Sequence, residues 1–535
     1  MIITKTKLEY GDFQTPQSLA DQATLMLRQI GIEPSSVLEP TCGKGSFLLS
    51  AAKVFPEAKR FIGVEINQTY LNYLRTQVVE AKIKARTRLI MGDFFYLDWD
   101  DILSLLPQPI LIIGNPPWVT SAELGLLKSK NLPEKSNFQG RRGYEAITGK
   151  SNFDISEWML LKQLDWLTKR RGVIAMLCKT AVARKILFHA WKHVLPVSSA
   201  RLYRIDAQKY FGASVDACFL IVDMEKGASS SNCLVFESLE SSVPSHSIGF
   251  HDGIVFSNVA LYKKRAHLGG GDQAYRWRSG IKHDCSKVME LEKVNGEYMN
   301  GFGQIVVLED KYIYPMIKSS DIGNGALRLG RKYMIVTQQY IGEETLRIRM
   351  TAPKTWQYLH DNKEGLAKRA SSIYRNRPMF SIFGVGKYSF SPWKVAVSGF
   401  YKHLTFRVIE PYKNRPVVCD DTVYFLSCWS EDEAVFLAAL LNSRPAQEFY
   451  KSMIFWTDKR PITIEVLSRL NLKALSSDLG QERKYLFFAR RRMDSESEYT
   501  VGQLSLGIAE KKAKYGQTKS SKRFGGRAHN AIHLA

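Results

Sequence analysis

Asn115-Pro116-Pro117-Trp118 is the stretch of this chain best equipped for chemistry: a planar amide, two residues of fixed φ and an indole, directly after the apolar run Ile110–Gly114. Pro116 and Pro117 have no N–H to extend a ladder, so a buried strand over 110–114 must end at Asn115. Doubly wound sheets bind ligands at the carboxyl ends of their strands, which puts Asn115 and Trp118 at the rim of a crevice. A second such stretch is VLEPTCGKGSFLLSAA, residues 37–52, which reads as strand, glycine-bearing turn and helix start. Gly43 and Gly45 allow a sharp turn and a close backbone approach to a ligand, and the helix N-terminus offers unsatisfied N–H groups. The run has neither Gly-x-Gly-x-x-Gly nor Gly-Lys-Ser/Thr, which argues against NAD and ATP. Glu39, at the end of the strand, suits an amino group. Glu65 ends FIGVEIN (61–67), roughly 20 residues after the turn, where a carboxylate accepts from a ribose diol. Capping the next helix is the competing role for Glu65. Asp93 and Phe94, in MGDFF (91–95), suit the amine and the face of an adenine. Together these residues describe a pocket for an adenosine bearing an amino-acid-like tail.

The elements that must hold these residues alternate between strand and helix from about 36 to 224, the pattern of a parallel sheet covered on both faces. Expected strands are SVLEP, FIGVEI, RLIMGD, PILIIGN, GVIAMLC, ARLYRID and DACFLIVDM. Expected helices span 46–55, 67–81, 154–169 and 180–193. No helix separates the last two strands, so the final one enters as an antiparallel hairpin. We therefore expect one domain over 1–225, a Ser-, Gly- and His-rich linker over 226–272, an aromatic-rich α+β domain over 273–480 with a helix at EDEAVFLAALLNS, and a basic tail over 481–535.

The chain has 535 residues with 75 Lys and Arg against 52 Asp and Glu, a formal charge of +23, which favours a polyanionic partner. Its seven cysteines form no Cys-x-x-Cys pair and fit reduced thiols, with no metal site. No stretch approaches the roughly 18 apolar residues of a spanning helix and no signal peptide is evident, so a cytoplasmic location away from membranes is expected. The charge then points to nucleic acid.

In order, GDFQTP, EPTCGKGSFL, GVEIN, GDFF and GNPPW resemble the gamma class of amino-methylating, adenine-specific DNA methyltransferases of restriction-modification systems. The resemblance covers most of residues 10–224. It implies a Rossmann-like, seven-stranded methyltransferase sheet with an antiparallel hairpin strand, followed by a C-terminal α+β target recognition domain. It further implies S-adenosylmethionine as cofactor, held by Thr15, Pro16, Glu39, Pro40, Thr41, Gly43, Gly45, Glu65, Asp93 and Phe94. Asn115, Pro116, Pro117 and Trp118 would be catalytic, and Trp118 and Phe211 would stack on the target base. The family usually has Tyr or Phe where this chain has Trp118, and an indole stacks at least as well. Phe211 also reads as a core phenylalanine, and a helix cap explains Asp154 as well as a pocket role does, next to Phe153. The second domain resembles a target recognition domain more loosely.

If Asn115 and the Pro116 carbonyl accept the two N–H bonds of an exocyclic adenine amine, its nitrogen pyramidalises and its lone pair is aimed at an incoming methyl group. In DNA that base must first leave the helix. The long basic segment 119–152 carries Arg141 and Arg142 as phosphate candidates, and Lys282, Lys318, Lys394, Lys402 and Arg407 are their counterparts in the second domain. Expected partners are double-stranded DNA and a separately acting restriction endonuclease, with the methylase itself a monomer. Alternatives are cytosine-N4 DNA methylation, adenine methylation of RNA, and a non-catalytic DNA-recognition subunit on a degenerate fold.

Overall fold

A computed structural model describes residues 14–119, 154–325 and 327–492. The chain forms two compact units, Met1–Lys264 with Lys451–Lys459, and Arg265–Tyr450 with Arg460–Ala535.

The first unit is built on β1 (Ser36–Glu39), β2 (Arg60–Glu65), β3 (Thr87–Met91), β4 (Ile110–Gly114), β5 (Gly172–Lys179), β6 (Val197–Ile205) and β7 (Ala217–Met224). Their order across the sheet is β3-β2-β1-β4-β5-β7-β6. β1 to β5 are parallel, and β7 runs antiparallel between β5 and β6 as expected, although a short helix, Ala207–Phe211, separates β6 from β7 where none was expected. The helices are α1 (Gln17–Gln29), α2 (Ser46–Val54), α3 (Gln68–Glu80), α4 (Trp99–Ser104), α5 (Ile155–Leu167), α6 (Thr180–Lys192) and α7 (Ala207–Phe211).

β4 is buried along its whole length and β5 over all but Lys179, which is why they read as unbroken apolar runs. Alternation sends Leu38, Ile62, Ile112 and Ile174 into one core, and Val37, Phe61, Leu111 and Val173 into the other. Short polar caps start the helices: Asn67 accepts from the Thr69 and Tyr70 amides, Asp98 from those of Asp100 and Asp101, and Asp206 from that of Lys209.

Two expectations are corrected. The stretch 226–272 is not a plain linker, because β8 (Asn232–Phe236), β9 (His246–His251) and β10 (Ile254–Phe256) extend the sheet beyond β6 to ten strands. Its polar residues are the solvent side of short strands and their turns, while Cys233, Val235, Phe236, Ile248 and Phe256 face inward. The tail from 481 begins with a helix over 482–492, on which Tyr485, Phe488 and Arg492 are buried and Arg492 donates to the Ser427 carbonyl at 2.7 Å.

The second unit has a four-stranded and a six-stranded sheet with helices, an α+β arrangement. Trp393–Ser398 pairs with Val423–Cys428, and helix Glu431–Asn442 begins where the Ser430 side chain accepts from the Glu433 amide. Over PMFSIFG (378–384) no strand forms, and Phe383 makes an isolated bridge with Lys282.

Ile248→Ala is expected to cost about 2–4 kcal/mol in urea denaturation, as for a core deletion. A change within about 0.5 kcal/mol, usual for surface positions, would mean that β9 does not belong to the folded core.

Candidate active site

β1 and β4 are hydrogen-bonded neighbours, yet the chain continues outward from them in opposite directions, to β2 and β3 on one side and to β5 on the other. That switch point leaves a crevice at the carboxyl ends of the two strands, and Glu39 and Asn115 stand on its two lips. The lips are close, since a Cβ added to Gly114 would lie 3.4 Å from Cγ of Glu39.

The turn after β1 requires its glycines. Gly43 has φ +52° and Gly45 φ +81°, and a Cβ on Gly45 would fall 2.2 Å from Cδ1 of Leu74. Glu65 locks the turn to the end of β2: one carboxylate oxygen accepts from the Gly43 amide at 2.7 Å, the other from that of Asn67 at 2.8 Å. Asn67, not Glu65, caps α3. Glu39 is 3% exposed and accepts from the Leu48 amide at 2.9 Å. Burial, and then the Glu65 charge, hold its carboxyl well above the ordinary carboxylate range.

Thr15, Glu39, Thr41, Gly43 and Asn115 line one pocket, together with Gln14, Cys42 and Ser46. The Thr15 carbonyl accepts from the Ser46 hydroxyl at 2.8 Å, and Pro16 precedes α1. Gln14 is a residue that the sequence reading missed. Its side-chain oxygen accepts from the Lys44 amide at 3.1 Å and lies where a Cβ on Gly43 would come within 2.7 Å. Its place beside Thr15-Pro16 was the available signal.

Asp93 stands just past β3 and accepts from the Phe95 amide at 2.9 Å. Phe94 is a correction: at 5% exposure its ring packs on Trp99 and Trp166, with centroids 4.9 and 5.6 Å away, and serves the core. Phe95, next to it, is the ring left half-buried. Trp118 and Phe211 do come together, edge to face at 5.2 Å and 68°. Phe211 is half-buried at the end of α7, while Trp118 is 6% exposed. Lys179, also unanticipated, ends β5 and donates to the Trp118 carbonyl at 3.1 Å and to the Asp154 carboxylate at 2.7 Å. Asp154 does cap α5, accepting from the Ser156 amide.

The comparisons agree with this geometry. The N-6 DNA methylase family model matches residues 2–187. The type II methyltransferase M.NspV of Nostoc sp. is 45% identical over 477 residues, 89% of this chain and 98% of that protein. The chain belongs to the type II N6-adenine DNA methyltransferases. A more local likeness, 33% over 117 residues, links this methylase to the type II methyltransferase M.CvrRI of Paramecium bursaria Chlorella virus XZ-6E, covering 22% of this chain and 26% of that one. In fold it is similar to the type IIL restriction-modification enzyme MmeI, solved in complex with DNA, with TM-score 0.51 and 11% identity over 88% of this chain and 69% of that one.

The methylase draws its methyl group from S-adenosylmethionine, and the pocket fits that donor. The buried Glu39 carboxyl is a group that a ligand ammonium or sulfonium stabilises in its charged form, and the glycine turn leaves a wall that side chains would fill. Among the described residues no group of three or more His, Cys, Asp and Glu is arranged to hold a metal, and no helix is long and apolar enough to cross a membrane.

The basic candidates of the second unit divide. Lys402 is exposed. Lys282 pairs with Asp284 at 2.5 Å, Lys318 with Glu290 at 2.5 Å, and Arg407 donates to the Gly325 carbonyl at 3.0 Å. Lys394 is corrected: it is 1% exposed inside the Trp393–Ser398 strand and donates to the Ser391 carbonyl at 2.7 Å, out of reach of a phosphate. Arg141, Arg142 and Phe153 lie outside the described residues.

Burial lowers the Lys394 pKa from 10.5 to about 8. Below pH 8 folded and unfolded chains both hold the proton, and the fold bears the full cost of the buried charge. Between pH 8 and 10.5 the folded state loses its proton first, so stability rises with pH in that window. Relative to Lys394→Met, the parent protein should gain about 3 kcal/mol in urea denaturation across it; a pH-independent difference would contradict the assignment.

Proposed function

We propose that this methylase is the modification enzyme of a restriction-modification system and that it methylates the N6 amine of an adenine rotated out of duplex DNA at the β1/β4 crevice. S-adenosylmethionine supplies an electrophilic methyl group carried on a sulfonium. The observation that carries the reading is the meeting, in one pocket, of Asn115 with Thr15, Glu39 and Gly43, so that an amide acceptor borders the donor site.

The chemistry asked of the protein is positional. The Asn115 side-chain oxygen and the Pro116 carbonyl accept the two N–H bonds of the amine, drawing its lone pair out of conjugation and toward the methyl carbon. Pro116 and Pro117 restrict the backbone that bears these acceptors, so little reorganisation is left to the reaction itself. The N6 proton that must then leave passes to solvent, and no strong base is required. Extruding the base costs a few kcal/mol, and aromatic contact with Trp118 and Phe211 offsets about 1–3 kcal/mol of it. Glu65 would take the ribose hydroxyls and Asp93 the adenine amine of the donor, with Pro16, Pro40, Thr41 and Gly45 around the turn and Phe95 in place of Phe94 at the adenine face.

The second unit acts as the target recognition domain on double-stranded DNA. Lys402 is its best-placed phosphate contact; Lys282, Lys318 and Arg407 would have to exchange internal partners. Arg141 and Arg142 remain phosphate candidates on the first unit. The methylase works as a monomer in the cytoplasm, and a separate endonuclease cuts the unmodified sites.

Methyl transfer from radiolabelled S-adenosylmethionine to mixed-sequence duplex DNA, followed by digestion to nucleosides, tests this. The expected product is N6-methyldeoxyadenosine, with a rate roughly 100- to 1,000-fold lower for Asn115→Ala. Label in N4-methyldeoxycytidine would overturn the base assignment, and label only in RNA or protein would overturn the reading as a whole.

A further inference from the structure

We propose that Lys179, held by Asp154, is a positioning residue for methyl transfer: it pins the Trp118 carbonyl and thereby sets the direction of the Asn115–Pro116 acceptor pair. This rests on the function proposed above.

The argument begins with strand lengths. The β4–β5 ladder runs from Ile110 beside Gly172 to Gly114 beside Met176. β5 continues to Lys179, which pairs only with Ala217 of β7. Where β4 has turned away into Asn115-Pro-Pro-Trp, β5 therefore has an open side, and its last side chain bridges the gap. Pro116 and Pro117 donate nothing, which gives the carbonyls of the segment added weight as anchors. Two such anchors lie among the described residues: the Val119 carbonyl accepts from the Ile155 amide at 2.9 Å, and the Trp118 carbonyl accepts from the Lys179 ammonium at 3.1 Å.

The ammonium is itself fixed. Its partner Asp154, 2.7 Å away and with only 8% of its side chain exposed, is the N-cap of α5 and also receives the Ser156 amide and hydroxyl. Lys179 thus ties together the end of β5, the start of α5 and the segment carrying the amine acceptors. The bond to a carbonyl is charge-assisted and stronger than one from a neutral donor. It acts three residues from Asn115 and through Trp118, whose ring meets Phe211. A shift of about 1 Å in an acceptor pair can cost on the order of 100-fold in rate.

Lys179→Met retains the aliphatic reach and removes the donor; Lys179→Arg restores a cationic donor. With duplex DNA as methyl acceptor, Lys179→Met should lose roughly 10- to 100-fold in kcat. Its affinity for labelled S-adenosylmethionine in equilibrium dialysis and its KM for DNA should stay near those of the parent, while its thermal midpoint falls because Asp154 is left buried without its counter-ion. Lys179→Arg should recover most of the loss. A kcat within twofold of the parent for Lys179→Met overturns the inference. So does a loss matched by an equal fall in donor affinity, because the ion pair then only holds the fold. If the parent protein transfers no methyl group to DNA, the underlying function fails and the inference with it; an active parent with an unaffected Lys179→Met sinks the inference alone.

Discussion

A parallel sheet can set two strand ends side by side over a crevice only where its winding reverses. In the first unit that reversal falls between β1 and β4, and much of the site follows from it. Glu39 and Asn115, 76 positions apart in the chain (115 − 39), become neighbours because Ser36 to Leu38 pair in register with Ile110 to Ile112. The glycine turn, Glu65 and the α1 entry at Thr15 crowd the donor side of this crevice. Lys179 and Asp154 tie the end of β5 to the segment that follows β4.

The same geometry explains the handling of charge. A protein with a net charge of +23 still buries a carboxyl at Glu39 and an amine at Lys394, each displaced toward its neutral form by loss of solvent. The outcomes differ by location. Glu39 lies at a pocket, where a cationic ligand reverses the effect; Lys394 lies inside a sheet of the second unit and bonds only to nearby protein groups. Counting basic residues measures an attraction to polyanions without saying which side chains exert it. Three of the five candidates in the second unit already hold internal partners at the surface, and a fourth is in the core.

What could be read from the sequence was whatever has a local cause. All seven strands of the expected sheet, and the helices after β1, β2 and β5, follow from apolar runs bounded by turns and caps. Asn115, Glu39 and Glu65 follow from the rule that strand ends face ligands. Applied to GVIAMLCK, the same rule would have offered Lys179, but a lysine after an apolar run looks like an ordinary solvated end until β4 is seen to turn away beside it. β8 to β10 escaped because each is short and half polar, and only β8 is tied to the main sheet, through β6, while β9 pairs with β8 and β10 with β9. Phe94 and Phe95 could not be told apart locally: which of two adjacent rings faces inward depends on Trp99 and Trp166.

Lys451–Lys459 belongs to the first unit although it follows most of the second in the chain. There Arg184 of α6 lies 4.3 Å from the Phe455 ring centroid and forms an ion pair with Asp458. The chain therefore leaves the catalytic half, returns to it briefly and leaves again. Modular exchange of the second unit between related methylases is for that reason not a single-splice operation. A join at 264 alone would bring a foreign return segment against a host α6, and a chimaera that preserves the catalytic half needs joins at 264/265, 450/451 and 459/460.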